Sequence, residues 1–448
     1  MTAPTVASTW QGPFTPPERM PESADVVIIG GGIVGTSAAW FLARQGVRVV
    51  LCEKGHIAGE QSGRNWGWVR VQGRDVREIP MMLEAFRTWE TFKDETGEDL
   101  GFARRGCLFA ARSEKEMRGF EGWLKDADDH GIESRLLTAA EVGEFVHGAK
   151  TDWVGGVITE SDGRAEPQQA APAFARAAAS AGADILTSCA VRGVETEAGR
   201  VSAVVTEHGT IRTDAVLLAA GAWSSLFCRS LGIALPQLKV RGTVVRTAPK
   251  DGVVEGNLFD SRLGIRRRDD GGYTVAHGAI LHHPVTPSTL RWSFKFLPSL
   301  MKEIKVLRLS FGKEFFEEWR QPKQWALDSV SPFEKMRVLD PEASDNVVRD
   351  IRRNLDAMFP QLADTPIVES WGGMVETTPD VVPVIDSVAT LPGFHIATGF
   401  SGHGFGLGPG AGKAAAALVT GETPAVDIAP LRLNRFFDGS PIELLSSI

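Results

Sequence analysis

The chain has 448 residues, of which 43% are apolar and 23% are charged, and its formal net charge is −8. This length corresponds to two or three domains, and the composition is that of an ordinary globular protein. The acidic balance argues against a nucleic-acid-binding protein. The four cysteines are predicted to be buried free thiols, since their spacing fits neither a metal site nor a redox pair; they are Cys52, Cys107, Cys189 and Cys228.

The first twenty residues are rich in Pro and Thr and contain no apolar run. A signal peptide or an anchoring helix needs such a run, so neither is expected. The sequence therefore predicts a cytoplasmic enzyme.

The first informative element is a buried strand that runs into a glycine-rich turn. The strand covers residues 26–29, and the glycines that follow are Gly30, Gly32 and Gly35. In a Gly-x-Gly-x-x-Gly turn the first glycine permits the tight bend, the second lets backbone approach a pyrophosphate, and the third lets helix pack on strand. The pyrophosphate then binds at the N-terminus of the following helix.

A second strand over residues 47–52 ends at Glu53, which is placed to accept hydrogen bonds from a ribose. Strand, glycines, helix, second strand and acid within one βαβ length indicate a dinucleotide site and fit either NAD or FAD. The chain contains no second strand–GxGxxG–helix unit for a separate NAD(P)H domain. We therefore expect electrons to come from an organic substrate.

Two later segments extend this pattern. Residues 190–227 predict a β-meander and a buried strand that ends in Ala219–Ser224. Residues 392–422 predict a strand, a loop with glycine at alternate positions from Gly402 to Gly412, and a helix from about Pro409. Alternate glycines would let backbone lie flat against a planar ligand, with the positive end of the helix aimed at it.

Together these three segments resemble the D-amino-acid-oxidase-type (DAO) flavoprotein superfamily, which includes glycine oxidase, sarcosine oxidase and D-amino-acid dehydrogenases. The resemblance implies an α/β fold with an α+β substrate domain. In it, a discontinuous Rossmann-like FAD-binding domain accompanies a substrate domain with a large antiparallel sheet. The expected divisions are an N-terminal extension (1–23), FAD-binding parts (24–84, 161–235, and 366–448 with the C-terminal segment) and substrate parts (85–160 and 236–365, with a helical insertion at about 288–330).

The predicted cofactor contacts follow from the glycine motif and from this resemblance. They are Gly30, Gly32, Ile33, Val34, Gly35, Glu53, Lys54, Ser62, Gly63, Arg64, Asn65, Trp66, Gly67, Val191, Ala220, Gly221, Trp223, Gly402, His403, Gly404, Phe405 and Gly406. Arg64 is interpreted as either a cofactor contact or a structural residue. Trp66 and Trp68 are expected to wall the pocket.

A narrower resemblance is to the bacterial L-amino-acid deaminases. It is carried by "SGRNWG", by "CAVRGVETEAGRVSAVV" and by "LPSLMKEIKVLRLSFGKEFFEEWRQPKQWALDSVSPFEKMRV". Those FAD enzymes convert L-amino acids to 2-oxo acids and pass electrons to a membrane chain. The residue matching Gln72 lines their substrate pocket, so the resemblance assigns Gln72 to the pocket here.

At other substrate positions this sequence departs from its relatives. The deaminases' carboxylate-binding arginine and pocket tryptophan fall at Gly278 and His403, and glycine oxidase's carboxylate arginine falls at Val375. Sarcosine oxidase's flavin-linking cysteine falls at Gly373, so FAD is expected to be held non-covalently. Its oxygen-activating lysine has no counterpart near Thr274, which favours a dehydrogenase over an oxidase.

The expected reaction is hydride transfer from the α-carbon of an amino acid or N-substituted amine to flavin N5, giving an imine that hydrolyses. The electron acceptor is oxygen or a quinone. The predicted catalytic residues are Arg70, Gln72 and His403. Arg70 binds either a substrate carboxylate or, alternatively, an FAD phosphate or solvent, while His403 adds positive charge near the flavin.

Other polar residues are interpreted as structural. Arg266, Arg267 and Arg268 precede a hairpin turn and are expected at a solvated strand end. Glu376 is interpreted as a solvated acid at a sheet edge, with contact to the substrate amine as the alternative. Tyr273 is expected to pack in a sheet. No metal site is predicted, because His277, His282 and His283 have no acidic or cysteine partner at ligand spacing.

Residues 288–320 mix aromatic and aliphatic side chains with lysines and arginines. Such a segment suits either a helical cap over the active site or peripheral contact with the inner face of a membrane. Two rivals to the amine oxidoreductase are retained. One is a non-catalytic flavin subunit of an oxidase complex, and the other is an FAD-dependent 2-hydroxy-acid dehydrogenase with His403 as base.

Overall fold

A computed structural model describes residues 14, 16, 18–303 and 306–446. Its strands in chain order are β1 (Val26–Ile29), β2 (Val49–Cys52), β3 (Trp68–Val69), β4 (Ala103–Arg104), β5 (Cys107–Ala111), β6 (Arg135–Thr138), β7 (Gly155–Thr159), β8 (Gly163–Arg164), β9 (Asp184–Leu186), β10 (Val191–Glu197), β11 (Arg200–Thr206), β12 (Thr210–Arg212), β13 (Val216–Leu218), β14 (Leu238–Thr247), β15 (Asn257–Phe259), β16 (Leu263–Arg267), β17 (Tyr273–His277), β18 (Leu281–Pro284), β19 (Leu307–Ser310), β20 (Ile367–Thr377), β21 (Val384–Ser387) and β22 (Phe394–Thr398).

The α-helices are α1 (Ile33–Ala43), α2 (Gln61–Arg64), α3 (Ile79–Thr96), α4 (Glu114–Asp129), α5 (Ala139–Phe145), α6 (Pro167–Ser180), α7 (Ser224–Ser230), α8 (Pro287–Trp292), α9 (Leu297–Glu303), α10 (Lys313–Arg320), α11 (Pro332–Lys335), α12 (Asp345–Met358) and α13 (Gly404–Thr420).

A six-stranded sheet carries the glycine-rich turn. Its order is β21-β22-β13-β1-β2-β9, and every neighbouring pair is parallel except β21 with β22. All four residues of β1 are buried, as expected of a strand covered on both faces. The predicted meander is also present, as the antiparallel set β10-β11-β12 before β13. The four cysteines are buried free thiols, as predicted.

A ten-stranded sheet forms the second body of structure. Its path is β19-β18-β14-β17-β16-β15-β5-β7-β6, with β20 paired to β14, and most of its pairs are antiparallel. This architecture confirms the predicted fold class. Strand β20 pairs with β14 from Leu238↔Thr377 to Thr247↔Ile367, although residues 366–448 were predicted as FAD-binding. We propose that the domain boundary lies after Thr377.

The glycine-rich C-terminal segment differs from the prediction. Helix α13 begins at Gly404 and contains Pro409, whereas a flat loop and a helix from about Pro409 were expected. The alternate glycines are needed for helix packing. A Cβ on Gly408 would lie 2.7 Å from the Ile33 side chain, and one on Gly410 would lie 2.4 Å from the Met81 carbonyl oxygen. Glycines two apart thus serve two different faces of one helix, towards α1 and α3.

The predicted solvated position of Arg266 is wrong, and so is that of Arg268. Arg266 is fully buried and Arg268 is 8% exposed. Strand β16 is paired on both sides, with β15 and β17, so side chains at its end remain inside the sheet assembly. Tyr273 packs in the same sheet, as predicted; it is fully buried, and its hydroxyl oxygen accepts a hydrogen bond from the Val253 N–H at 3.2 Å.

The insertion comprises α8, α9, β19 and α10, with β19 added in parallel to the edge strand β18. Trp292 and Phe296 pack on Leu238 of β14. Several other apolar side chains are solvent-exposed, including Phe294 (91%) and Trp319 (67%). Residues 304 and 305, which belong to the predicted apolar and cationic face, lie outside the described residues. Within the described ranges, no helix has both the length and the apolar run needed to cross a bilayer.

Candidate active site

A cleft opens where β1 meets α1. Gly30 adopts φ +115°, and a Cβ at this position would lie 2.4 Å from the Ala219 carbonyl oxygen. Gly35 is equally constrained, because its Cβ would lie 2.1 Å from the Gly30 carbonyl oxygen. The turn therefore brings β1, β13 and α1 closer together than any side chain at these two positions would allow.

Glu53 and Ser62 hold the backbone at the N-terminus of α1 through hydrogen bonds. The Glu53 carboxylate accepts hydrogen bonds from the Gly31 and Gly55 amides, both at 2.7 Å. Ser62 Oγ accepts a hydrogen bond from the Ile33 amide at 2.9 Å. Burial raises the pKa of Glu53. The acid therefore stands at the end of β2, beside the helix N-terminus, where a ribose and a pyrophosphate of a dinucleotide would meet.

The cleft encloses about 1190 Å³ of space, part of which is open to solvent. Most of the predicted cofactor contacts line it. They are Gly30, Gly32, Ile33, Val34, Glu53, Lys54, Ser62, Asn65, Val191, Ala220, Gly221, Trp223, Gly402, Gly404 and Phe405. Segments far apart in the chain thus converge on one cleft, which contains the glycine turn, the acid and the helix N-terminus that a dinucleotide requires.

Seven predicted contacts are not among the residues that line the cleft; they are Gly35, Gly63, Arg64, Trp66, Gly67, His403 and Gly406. Arg64 forms an ion pair with Asp340 and donates to the Gly59 carbonyl oxygen at 3.2 Å. The Trp66 ring packs on Trp68, with the ring centroids 5.4 Å apart.

Close packing and a backbone hydrogen bond account for three of these glycines, Gly63, Gly67 and Gly406. A Cβ on Gly63 would lie 2.4 Å from the Ala58 carbonyl oxygen, and one on Gly67 would lie 2.5 Å from the Ala165 carbonyl oxygen. Gly406 accepts a hydrogen bond from Trp89 Nε1 at 2.8 Å.

Glu376 lines the cleft, so its predicted position as a solvated sheet-edge acid is wrong. It is 7% exposed, because β20 pairs with β14 and sets Glu376 opposite Lys239. Burial raises the pKa of Glu376 to about 7. Sequence alternation shows which residues share a face of β20, but not that this face closes over a cleft.

Glu60 also lines the cleft and was not identified from the sequence. Its carboxylate accepts hydrogen bonds from Trp223 Nε1 at 2.9 Å and from the Leu339 amide at 3.0 Å, and it pairs with Lys54. Little local signal marks Glu60, because two of its three partners, Trp223 and Leu339, come from distant segments.

The segment from Arg70 to Arg74 forms a turn anchored by a buried acid. Asp162 accepts hydrogen bonds from the Val71 amide at 2.7 Å and the Gln72 amide at 3.2 Å, and burial raises the pKa of Asp162 to about 7. Gln72 is fully buried, with Oε1 accepting from Thr159 Oγ1 at 2.9 Å. Arg70 is partly exposed and donates to the Gln72 carbonyl oxygen. Its guanidinium lies 5.3 Å from the centre of the Phe109 ring.

His403 is the residue immediately before α13, between the cleft residues Gly402 and Gly404, and its imidazole contacts Glu78. Its Nδ1 lies 2.9 Å from a carboxylate oxygen of Glu78, which is 1% exposed and was not identified from the sequence. Burial lowers the pKa of His403 even though the Glu78 carboxylate opposes this shift. This shift favours the neutral imidazole.

The cleft and its glycines fit a dinucleotide cofactor, and comparison with known proteins identifies the family. The family model for DAO, described as FAD dependent oxidoreductase, matches residues 25–418. The chain belongs to the DAO family. It is therefore an FAD-dependent oxidoreductase, as the sequence predicts.

Individual relatives align with almost the whole of this chain. The structure of L-amino acid deaminase from Proteus myxofaciens, in complex with anthranilate, superposes with a TM-score of 0.91 at 33% identity and covers 95% of this chain and 97% of that one. Sarcosine oxidase subunit beta from Rhodobacter capsulatus is 26% identical, covering 97% of this chain and 94% of the relative. Against sarcosine dehydrogenase from Mus musculus, also 26% identical, 95% of this chain aligns with 42% of the relative. These likenesses support FAD-dependent oxidation of an amine or amino acid, the reaction class predicted from the sequence.

Two of the three histidines considered as metal ligands, His277 and His283, have hydrogen-bond partners, whereas His282 Nε2 is buried without one in the described part of the chain. His283 contacts the Lys239 carbonyl oxygen at 2.7 Å and Thr289 Oγ1 at 2.9 Å, while His277 Nδ1 accepts from the Ala279 amide at 3.0 Å. Among the residues that the structure describes, no three His, Cys, Asp or Glu side chains form a group able to hold a metal ion.

Proposed function

We propose that this DAO-family chain is a dehydrogenase that oxidises the C–N bond of an amino acid or N-substituted amine to an imine, which then hydrolyses. The observation that carries the proposal is the likeness to L-amino acid deaminase along nearly the whole chain. FAD, held non-covalently along the cleft by the Gly30 turn, Glu53 and the Gly402–Phe405 segment, would supply the hydride acceptor.

The chain's own residues can prepare the amine. An ammonium group cannot give up a hydride from its neighbouring carbon until it loses a proton. The neutral imidazole of His403 is suited to accept that proton, because burial lowers its pKa. Glu78 at 2.9 Å would then stabilise the imidazolium that forms.

The pair of His403 and Glu78 is also the reason to consider a second candidate function, that of a 2-hydroxy-acid dehydrogenase. An alcohol has a far higher pKa than an ammonium group, so its oxidation needs a base during the hydride transfer itself. A histidine oriented by a buried carboxylate is such a base. The two candidates therefore differ in the bond oxidised, C–N or C–O.

Anaerobic mixing of the holoenzyme with a panel of substrates distinguishes these functions. L-, D- and N-methyl amino acids and the matching 2-hydroxy acids are added in turn, and flavin absorbance near its visible maximum is recorded. We expect at least one amino acid to bleach the flavin while the hydroxy acids leave it oxidised. Bleaching by hydroxy acids alone would establish the second candidate. If nothing bleaches the flavin, the chain acts as a non-catalytic flavin subunit.

We further propose that the electrons pass to a membrane quinone and that the insertion docks on the membrane surface. Its exposed apolar side chains include Phe294, Met301, Phe311 and Trp319, which are 91%, 69%, 66% and 67% exposed. Lysines and arginines are interleaved with them in the sequence. An apolar surface edged with cations suits the headgroup region of an anionic bilayer.

Flotation with anionic liposomes tests this surface. The holoenzyme is expected to float at low salt, and the double variant Phe316→Ser/Trp319→Ser is expected to bind at least about tenfold more weakly, because two large apolar side chains are lost. Val154→Ser is the control, since Val154 is 41% exposed but lies outside the insertion. Equal flotation of the double variant and the control would refute membrane docking through the insertion.

A further inference from the structure

Three buried side-chain donors close together in sequence lack hydrogen-bond partners. They are Trp68 Nε1, Gln72 Nε2 and an Arg74 terminal nitrogen (NH1), each without an acceptor among the described residues. A buried donor without a partner loses the hydrogen bonds it would make with water. All three groups are donors, so the ligand that would satisfy them is an acceptor such as a carboxylate.

Arg74 is unusual among the buried arginines of the described chain. Six arginines there are buried, and five of them lie within 4 Å of a carboxylate; these five are Arg64, Arg164, Arg266, Arg268 and Arg435. Arg74, which is 3% exposed, has no such ion pair within the described residues. The Glu78 and Asp162 carboxylates act on Arg74 electrostatically but form no ion pair with it, so an external anion would be its first direct counter-ion.

The Arg74 guanidinium is held in place by backbone atoms. Its Nε donates to the Arg70 carbonyl oxygen at 3.1 Å, and one terminal nitrogen (NH2) donates to the His403 carbonyl oxygen at 3.4 Å. Burial, with the Arg70 guanidinium nearby, lowers the pKa of Arg74 to about 10, so the group stays charged at neutral pH. The contact with His403 places this cation beside the segment that lines the cofactor cleft.

Two other positions cannot bind a substrate carboxylate through a side chain. A Cβ on Gly278 would lie 2.3 Å from the Asp260 carbonyl oxygen, and Val375 has an apolar side chain. The resemblance to deaminases and glycine oxidase would place a carboxylate-binding arginine at these positions. Arg70 is partly exposed, lies over the Phe109 ring and already donates to the Gln72 carbonyl oxygen.

We infer that Arg74, assisted by Gln72, binds a carboxylate of the substrate, and that Arg70 only positions this segment. The inference rests on the proposed oxidation of an amine and narrows its substrate to amines that carry a carboxylate. The rings of Trp68 and Phe109, whose centroids are 6.4 Å apart, form the apolar side of the proposed carboxylate site.

Binding of anthranilate to the holoenzyme, followed by the change in flavin absorbance, tests the assignment without turnover. Aniline is the matched probe, since it keeps the ring and amine but lacks the carboxylate. Arg74→Gln is expected to weaken anthranilate binding at least about 30-fold, as loss of one partner of a buried charge pair does, and to leave aniline binding unchanged. Arg74→Lys keeps the charge but loses the planar fork, so a smaller loss of about tenfold is expected.

Arg70→Gln is the control and is expected to change anthranilate binding less than threefold, with FAD content equal in all variants. If Arg74→Gln does not fold with FAD, the Arg74→Lys result decides in its place. Unchanged anthranilate binding in the Arg74 variants, or a larger loss in Arg70→Gln, overturns the inference. The inference is also overturned if neither anthranilate nor acetate changes the flavin spectrum of the wild-type protein. Arg74-dependent anthranilate binding in a protein whose flavin no amine bleaches would refute the proposed function alone.

Discussion

Gly30→Ala is expected to abolish FAD binding at cofactor concentrations that saturate the wild-type protein. The added methyl group would lie 2.4 Å from the Ala219 carbonyl oxygen and 2.9 Å from its carbonyl carbon, so the end of β1 or of β13 must shift. The backbone at Gly30 also has φ +115°, which an L-residue rarely adopts. The left-handed backbone costs about 1–2 kcal/mol and the overpacking a further 1–3 kcal/mol.

Fluorescence titration of the apoprotein with FAD measures the affinity, and denaturant unfolding of the apoprotein measures the stability. Gly46→Ala is the matched control, because Gly46 also has positive φ, at +81°, but no atom lies within 4 Å of its added Cβ. We expect this control to lower the free energy of unfolding by about 1 kcal/mol and to leave FAD affinity unchanged. Equal losses of affinity in the two variants would show that backbone strain, and not the contact with Ala219, governs the cofactor site.

The part of the site that could be predicted from the sequence is the part with local causes. The turn at Gly30, the helix that follows and Glu53 all lie within one βαβ unit, so their relative positions follow from short-range geometry. The convergence of this unit with Ala220 and Gly402 was also anticipated, but from resemblance and not from the residues alone. Parallel strands β1, β13 and β22 are neighbours in the sheet, and their carboxyl ends bring these segments together.

The errors concern burial, which depends on distant segments. The sequence shows that Glu376 follows a run of sheet-forming residues, but its exposure is decided by the pairing of β20 with β14, more than 130 residues earlier. The alternate glycines of residues 402–412 were ambiguous for a similar reason. Spacing by two satisfies a flat loop, and it also satisfies two i, i+4 stripes on a helix that packs against both α1 and α3.

Arg74 and Glu78 were missed because neither belongs to a motif. Their roles come from contacts with His403, which follows more than 320 residues later. Residues 62–78 therefore contribute to two sites. Ser62 and Asn65 line the cofactor cleft. Gln72, Arg74 and Glu78 lie near the N-terminal end of α13 and the buried Asp162 carboxylate. Cofactor and substrate contacts in one continuous segment explain how changes in this segment could alter specificity without loss of FAD.

Arg266→Met is expected to be the most destabilising single substitution in the substrate sheet, and to disturb this segment as well. Arg266 is fully buried, donates to Glu166 at 2.8 Å and 3.2 Å, and donates to the Ala165 carbonyl oxygen at 2.9 Å. Its guanidinium also packs against Gly67, where a Cβ would lie 2.7 Å from Arg266 Cζ. Removing it takes the hydrogen-bonded cation from the buried Glu166 carboxylate and leaves only the longer ion pair with Arg164 at 3.6 Å, which costs about 3 kcal/mol.

Denaturant unfolding of the holoenzyme measures the loss, and Arg135→Met is the control. Arg135 is 49% exposed and pairs with the exposed acids Glu141 and Glu160, so about 0–1 kcal/mol is expected there. The double variant Arg266→Met/Glu166→Gln should be less destabilised than Arg266→Met alone, because the weakly paired Glu166 charge is then absent from the core. If the double variant is instead the less stable of the two, the guanidinium stabilises the sheet through the Ala165 carbonyl and the packing on Gly67, and the ion pair with Glu166 is secondary.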